Sequence, residues 1–286
     1  MRGRRLALLA LAAALASCEQ APPIEARPAL YLVEDADTRI WLFGTVHMLP
    51  DRVRWETPAI KAAERAADTL VTELPALDPD AGAENFARLG HRPGLPPILD
   101  RVPPAVRPRL EAIAGRTGLS LDDLSGMKSW AAALTLSAAA AQADGGAHAS
   151  AGADAVIGRR LAGRPRIGLE TLPQQLGYFD ALTEADQRRL LAASVSGDGG
   201  YRATLDAWAA GDEARLAALV ARPMEAAPAI EAMLLTRRNA RWTAWIVDRL
   251  AKPGRVLVAV GAGHLAGPKS VIARLRAQGL KVRRLQ

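Results

Sequence analysis

Two runs of this sequence place a histidine three residues after a glycine, each at the end of an apolar stretch: Gly44-Thr45-Val46-His47 and Gly261-Ala262-Gly263-His264. Two glutamates share that setting. Glu73 closes the run 69–74, just before Pro75, and Glu170 follows 166–169 in the run GLET. If the apolar stretches are strands of one parallel sheet, all four side chains emerge at the carboxyl edge, where open α/β sheets bind ligands. Two imidazoles with one or two carboxylates form a nitrogen and oxygen donor set. That set suits Zn, Mn, Co or Fe, and it would ionise a bound water and polarise a carbonyl. Without a metal, the same groups would work as a His/Glu pair that activates water, as in an esterase. Neither route needs a serine nucleophile, and the sequence has no G-x-S-x-G elbow, dinucleotide fingerprint, P-loop or H-E-x-x-H helix.

The Gly-x-x-His spacing alone is a weak signal. Four histidines and 24 glycines in 286 residues give about a third of one such match by chance. Gly145-Gly146-Ala147-His148 is a third match, with no strand before it, and is read as coincidence. His91, in a Pro/Gly segment, is read as a surface residue. Weight comes instead from convergence with a basic group. The helix expected over 229–250 has an apolar stripe of Ile230, Leu234, Trp242, Trp245 and Ile246. Arg238, four residues from both Leu234 and Trp242, points with that stripe. A buried guanidinium needs a carboxylate or an anionic ligand. Asn239 is placed to orient the same partner, whereas Arg237 and Arg241 read as solvated charges.

The elements that position these groups follow from periodicity. Strands are expected at 29–33, 39–46, 69–74, 166–169, 255–260 and 281–285, with a helix over 57–67 completing a βαβ rhythm. Ala-rich helical sequence fills about 100–250, where Ser120 with Asp123 and Thr183 with Asp186 have capping-box spacing. The stretch 144–152 reads as a loop. The reading is therefore an α/β fold: a mainly parallel central sheet built from both ends of the chain, with a large helical insertion.

Composition narrows the function classes. Half of the residues are hydrophobic, 23% are charged and only 4% are aromatic, so the core rests on Ala, Leu and Val. The formal charge is +7, but only five basic residues are Lys and no basic block is interleaved with aromatics, which argues against nucleic acid as a partner. Cys18 is the single cysteine. That leaves no disulfide framework and no thiolate metal site. Its position is informative. Arg2, Arg4 and Arg5 head a short apolar run that ends in Leu15-Ala16-Ser17-Cys18, a pattern similar to the bacterial lipoprotein box. Residues 1–17 are expected as a signal peptide, Cys18 as a lipidated, palmitate-bearing N-terminus, 18–28 as that terminus with its tether, and 29–286 as one domain. Loss of 1–17 lowers the charge from +7 to +4. The expected location is the bacterial cell envelope, periplasm-facing and lipid-anchored, with the outer membrane favoured.

Six motifs in order carry a family resemblance: WLFGTVHMLP (41–50), VTEL (71–74), MKSWAAALTL (127–136), GLET with QQL (168–176), LLTRRN (234–239) and VAVGAGHLAG (258–267). Together they resemble the TraB/GumN family, which is related to the Tiki metalloproteases and more remotely to erythromycin esterase and ChaN-like haem-binding lipoproteins. The resemblance spans about residues 29–286. It implies that both Gly-x-x-His motifs lie at one site, and it puts functional roles on His47, Glu73, Glu170, Arg238 and His264. The Tiki kinship implies a divalent metal, Mn or Co ahead of Zn. The resulting expectation is a metal-dependent peptidase acting on a peptide or small-molecule substrate. His47, His264 and Glu73 would hold the metal, Glu73 or Glu170 would serve as base, and Arg238 with Asn239 would steady an oxyanion or a substrate carboxylate. The alternatives are a non-catalytic lipoprotein that binds haem or peptide, and a metal-free esterase.

Overall fold

The computed structural model describes residues 22–76, 78–196, 200–225 and 227–286, so the lipobox and Cys18 lie outside the described residues. Among the described residues there are eight strands: β1 Ile24–Glu25, β2 Leu30–Glu34, β3 Thr38–Thr45, β4 Val53–Arg54, β5 Thr69–Thr72, β6 Arg166–Gly168, β7 Gly254–Gly261 and β8 Val282–Arg284. Six of them form the central sheet in the order β6-β5-β7-β3-β2-β8. The four from β6 to β3 run parallel, while β2 and β8 add antiparallel pairings at the other edge. The sheet thus draws its strands from both ends of the chain, as the apolar runs indicated.

Strand residues alternate strictly between two cores, because successive side chains in a strand point to opposite faces. On β7, Leu257 and Ala259 face one core while Val256, Val258 and Val260 face the other. The first core is closed by Ile60 and Ala63 of helix Pro58–Ala66, Ile157 of helix Ala153–Arg160 and Trp208 of helix Tyr201–Ala209. Trp242 and Ile246 of helix Arg237–Leu250 and Leu275 of helix Val271–Ala277 close the second. Sheet residues covered on both faces are why the strands read as near-continuous apolar runs. A third, all-helical core around Leu110, Leu136 and Leu191 belongs to the insertion.

Three elements differ from the sequence reading. The helical section begins at Pro79 rather than near 100, and within it the strand expected at 166–169 forms as β6 at the edge of the sheet. The tether is shorter than expected: β1 already pairs with β4, and Ala26 is buried. The long helix is not uniform, since a π-helical turn over Ala232–Thr236 precedes Arg237–Leu250. The reciprocal capping box forms at Thr171 and Gln174. Ser120 caps through its own hydroxyl, accepting from the Asp122 and Asp123 N–H groups.

Pairing between β5 and β6 continues past the strand ends: the Leu169 N–H donates to Thr72 O and the Glu170 N–H to Glu73 O, both at 2.9 Å. This sets Glu73 and Glu170 side by side. Gly168 permits it, because a Cβ there would fall 2.4 Å from Pro75 Cδ and 3.0 Å from the Leu74 carbonyl carbon. Backbone cannot yield as a flexible side chain can. Gly168→Ala is expected to destabilise the fold by about 1–3 kcal/mol, as overpacking does. Urea unfolding with an unchanged midpoint would count against this role for Gly168.

Candidate active site

The parallel register explains the echo between the two Gly-x-x-His motifs. Thr45 lies opposite Gly261 where β3 and β7 end, so both motifs leave the sheet side by side. Each glycine makes a close approach possible. A Cβ on Gly44 would sit 3.0 Å from Ala262 Cα. One on Gly261 would sit 2.9 Å from Glu73 Oε1, 3.6 Å from His264 Cδ2 and 3.7 Å from His47 Nε2. Three of the residues singled out by the sequence therefore converge on one point. His91 and His148 lie elsewhere, the latter with its ring between Ser150 and Asp51.

Arg238 ties the site together. Its Nε donates to both oxygens of Glu170 at 3.0 Å, and its Nη2 lies 2.8 Å from Glu73 Oε2 and 2.9 Å from Glu170 Oε2. Its Nη1 donates to Leu234 O and to His264 Nε2, each at 3.1 Å. All five N–H groups of the guanidinium are thereby engaged. The group is buried and lies over the Trp242 ring at 4.8 Å. His264 tilts against the same ring, with centroids 4.3 Å apart. Of the two outcomes open to a buried arginine, a carboxylate or an anionic ligand, the fold supplies two carboxylates. Arg241 is exposed, as expected, and it also reaches Glu170 at 3.2 Å and donates to the Tyr178 hydroxyl at 2.7 Å.

Asn239 acts on a different partner from the one expected. Its Oδ1 accepts from His264 Nδ1 at 2.6 Å, while its amide nitrogen donates to Lys269 O at 3.0 Å. This fixes the tautomer of His264: Nδ1 carries the proton and Nε2 is the acceptor facing Arg238. The imidazole is accordingly neutral. Burial, helped by the Arg238 and His47 charges, lowers its pKa to about 3 despite nearby Glu73. Glu73 accepts from the Gly261 N–H at 2.7 Å through Oε1 and from Gln175 Nε2 at 2.8 Å through Oε2. Burial opposes its ionisation, but the surrounding imidazoles, Arg238 and the Gly261 N–H hold its pKa down to about 2.

His47 occupies the mouth of the site, with 61% of its side chain exposed and Nδ1 3.2 Å from Asp154 Oδ1. Crowding around the ring disfavours the cation, yet Asp154 and, behind it, Glu73 outweigh this and raise its pKa to about 9. The His47 loop is braced by the 144–152 segment and its neighbours: the Ala153 N–H donates to Val46 O, Leu49 bridges to His148, and the Tyr201 hydroxyl donates to Met48 O. In front of His47 and Glu73 opens a cleft of about 260 Å³, whose polar lining includes Thr45, Thr72, Asp154, Arg166 and Gln175. Asp154, Arg166 and Gln175 were not among the residues singled out from sequence. Only Gln175 had a local signal, inside the QQL run.

His47 Nε2 and Glu73 Oε1 turn toward one place, but both nitrogens of His264 are engaged within the protein. The trio expected to hold a metal does not fit one in this arrangement, and among the described residues no group of three or more His, Cys, Asp or Glu is set to do so.

A family model described as TraB/PrgY/gumN matches residues 29–284. No curated protein and no solved structure matches the chain.

The two imidazoles give opposite pH responses. His264 takes up a proton at 6.5 when unfolded but only near 3 when folded, so its contribution to stability is lost as pH falls from about 6.5 toward 3. His47, raised from 6.5 to about 9, contributes stability that is lost as pH rises through that window. Below pH 4.5, protonation of Glu73 adds to the acid-side loss. In urea unfolding between pH 7 and 5, the wild type should lose up to about 1.4 kcal/mol per pH unit from His264. His264→Gln should flatten that slope; an unchanged slope would mean that His264 is not held neutral.

Proposed function

Because the chain belongs to the TraB/PrgY/gumN family, we propose that it is a cell-envelope hydrolase that cleaves an acyl bond of a peptide or small-molecule substrate in the His47–Glu73 cleft. The observation that carries this reading is the meeting of His47 Nε2 and Glu73 Oε1 at Gly261, with Arg238 fixing Glu73 from behind. A water between these two groups would have a base on one side and an acid on the other. As its oxygen adds to the acyl carbon, Glu73 takes one proton. When the bond to nitrogen or oxygen breaks, the leaving atom keeps the electron pair and receives a proton from the His47 imidazolium. Transfer of the Glu73 proton to His47 through solvent restores both groups. A carboxylate held near a pKa of 2 is a weak base, so the rate depends more on positioning than on basicity. His264, Asn239 and Glu170 hold Arg238 and Glu73 in place in this scheme and do not touch the substrate.

The haem-binding alternative has less support. The cleft lining of Thr45, His47, Thr72, Glu73, Leu74, Asp154, Arg166, Gln175 and Ala259 presents no Phe, Tyr or Trp ring to stack on a flat macrocycle. Purified protein should hydrolyse members of a mixed peptide and ester library, and His47→Ala and Glu73→Gln should each lower kcat by at least about 100-fold, the scale of a lost general acid or base. Activity abolished by chelation and restored by Mn or Co would return a metal to the mechanism. An inactive wild type under every metal condition would end the hydrolase reading.

We place the protein in the envelope through lipidation at Cys18, a reading supported by the Arg-rich head and the Leu-Ala-Ser-Cys run. Among the described residues no helix is long and apolar enough to cross a membrane. Labelling of growing cells with palmitate should mark the wild type and not Cys18→Ser, and equal labelling of both would remove the anchor.

A further inference from the structure

From sequence, Arg238 could steady an oxyanion or bind a substrate carboxylate, but its donors are spent on Glu73, Glu170, Leu234 and His264 inside the protein. The arginine that lines the cleft is Arg166, the first residue of β6. In the parallel register it lies opposite Leu70, so its side chain shares a face with Thr72, two residues further along β5. Its Nε donates to Thr72 Oγ1 at 3.1 Å, and this fixes the plane of the guanidinium. Helix Ala153–Arg160 makes room for it at Gly158, where a Cβ would fall 2.9 Å from Nη1. Burial lowers its pKa, while the charge of Asp154 works the other way.

What Arg166 lacks is a carboxylate of its own. Two carboxylates line the cleft, and neither pairs with Arg166: Glu73 is held by Arg238, Gln175 and Gly261, and Asp154 lies 3.2 Å from His47. Among the described residues Arg166 forms no ion pair, and neither Nη group donates to a protein acceptor. A half-buried, oriented guanidinium with two free Nη groups is a fork suited to a planar bidentate acceptor.

We propose that Arg166 binds a carboxylate of the substrate, within about one residue's length of the bond acted on at His47 and Glu73. The substrate class is then an acyl compound with a free carboxylate close to the scissile bond, such as a peptide cut near its C-terminus. Arg166 lies one strand from Glu73, joined to it through Thr72, and the cleft of about 260 Å³ holds only a small fragment. This inference rests on the hydrolase reading above.

The test compares short peptides ending in a free carboxylate with the same peptides amidated, for the wild type, Arg166→Gln and Arg166→Lys. Thermal melts confirm that the variants fold. The wild type should prefer the free carboxylate. Arg166→Gln should raise KM for those peptides about 10- to 100-fold more than for the amidated ones, the scale of a lost charge-assisted pair, with a much smaller effect on kcat. Arg166→Lys should recover part of the loss. Equal cleavage of both peptide forms by the wild type, or equal damage to both by Arg166→Gln, overturns the proposal and leaves the hydrolase reading standing. Calorimetric titration with N-acetylalanine separates the two ideas. Binding that Arg166→Gln abolishes, in a protein that cleaves nothing, upholds the carboxylate site and ends the hydrolase reading. No binding of N-acetylalanine, or binding of inorganic phosphate in its place, overturns the proposal.

Discussion

The saturated guanidinium of Arg238 is the constraint on which the rest of the site depends. It is a buried cation that would be costly alone, and it is offset by two carboxylates brought from different strands of the sheet. Those carboxylates in turn could not be buried beside one another without it. The Glu73 and Glu170 backbones pair directly, so two negative charges leave one edge of the sheet as neighbours. Arg238 is the group that makes this arrangement stable, and Arg241 adds a second cation from the solvent side of the same helix. The π turn before Arg237 belongs to the same design: it leads the helix into the site just where Leu234 O accepts from Arg238. Such turns recur where helices meet functional sites.

From that centre the two histidines acquire different characters. His264 is locked between Asn239 and Arg238, stacked on Trp242, and neutral. His47 is exposed and held beside Asp154 by a loop that four separate backbone and side-chain contacts restrain. The motifs look alike in sequence, yet one imidazole is part of the frame and the other faces the cleft. The difference arises from what each meets after the strand ends. The β7 motif turns at once into a 3-10 turn under the long helix, while the β3 motif runs outward over helix Ala153–Arg160.

Much of this was legible in the sequence, and the reason is local periodicity. Strands covered on both faces leave continuous apolar runs, and all six central strands lie within two residues of the runs read from sequence. Arg238 was visible because it interrupts an apolar stripe at helical spacing. Asp154, Arg166 and Gln175 were not, because nothing near them in sequence records their partners. Gln175 meets Glu73 across 102 positions, and Arg166 meets Thr72 across 94. The tautomer of His264 was illegible for a related reason. It depends on which atoms of Arg238 and Asn239 face the ring, and adjacency in sequence places those residues without orienting them.

The division of labour among the arginines follows from the same geometry. A guanidinium can be a structural tie or a ligand group, and the number of its donors left free decides which. Arg238 has none left, whereas Arg166 is oriented by a single hydroxyl and keeps its fork open. A site that used one arginine for both tasks would lose its frame each time the substrate left. Placing the two cations on opposite sides of Glu73, one on the helix behind it and one on the neighbouring strand in front, lets the carboxylate stay fixed while the cleft fills and empties. The fold secures this separation through the sheet itself, since Thr72 ends β5 beside Arg166 and Glu73 follows it where its carbonyl accepts from the Glu170 N–H.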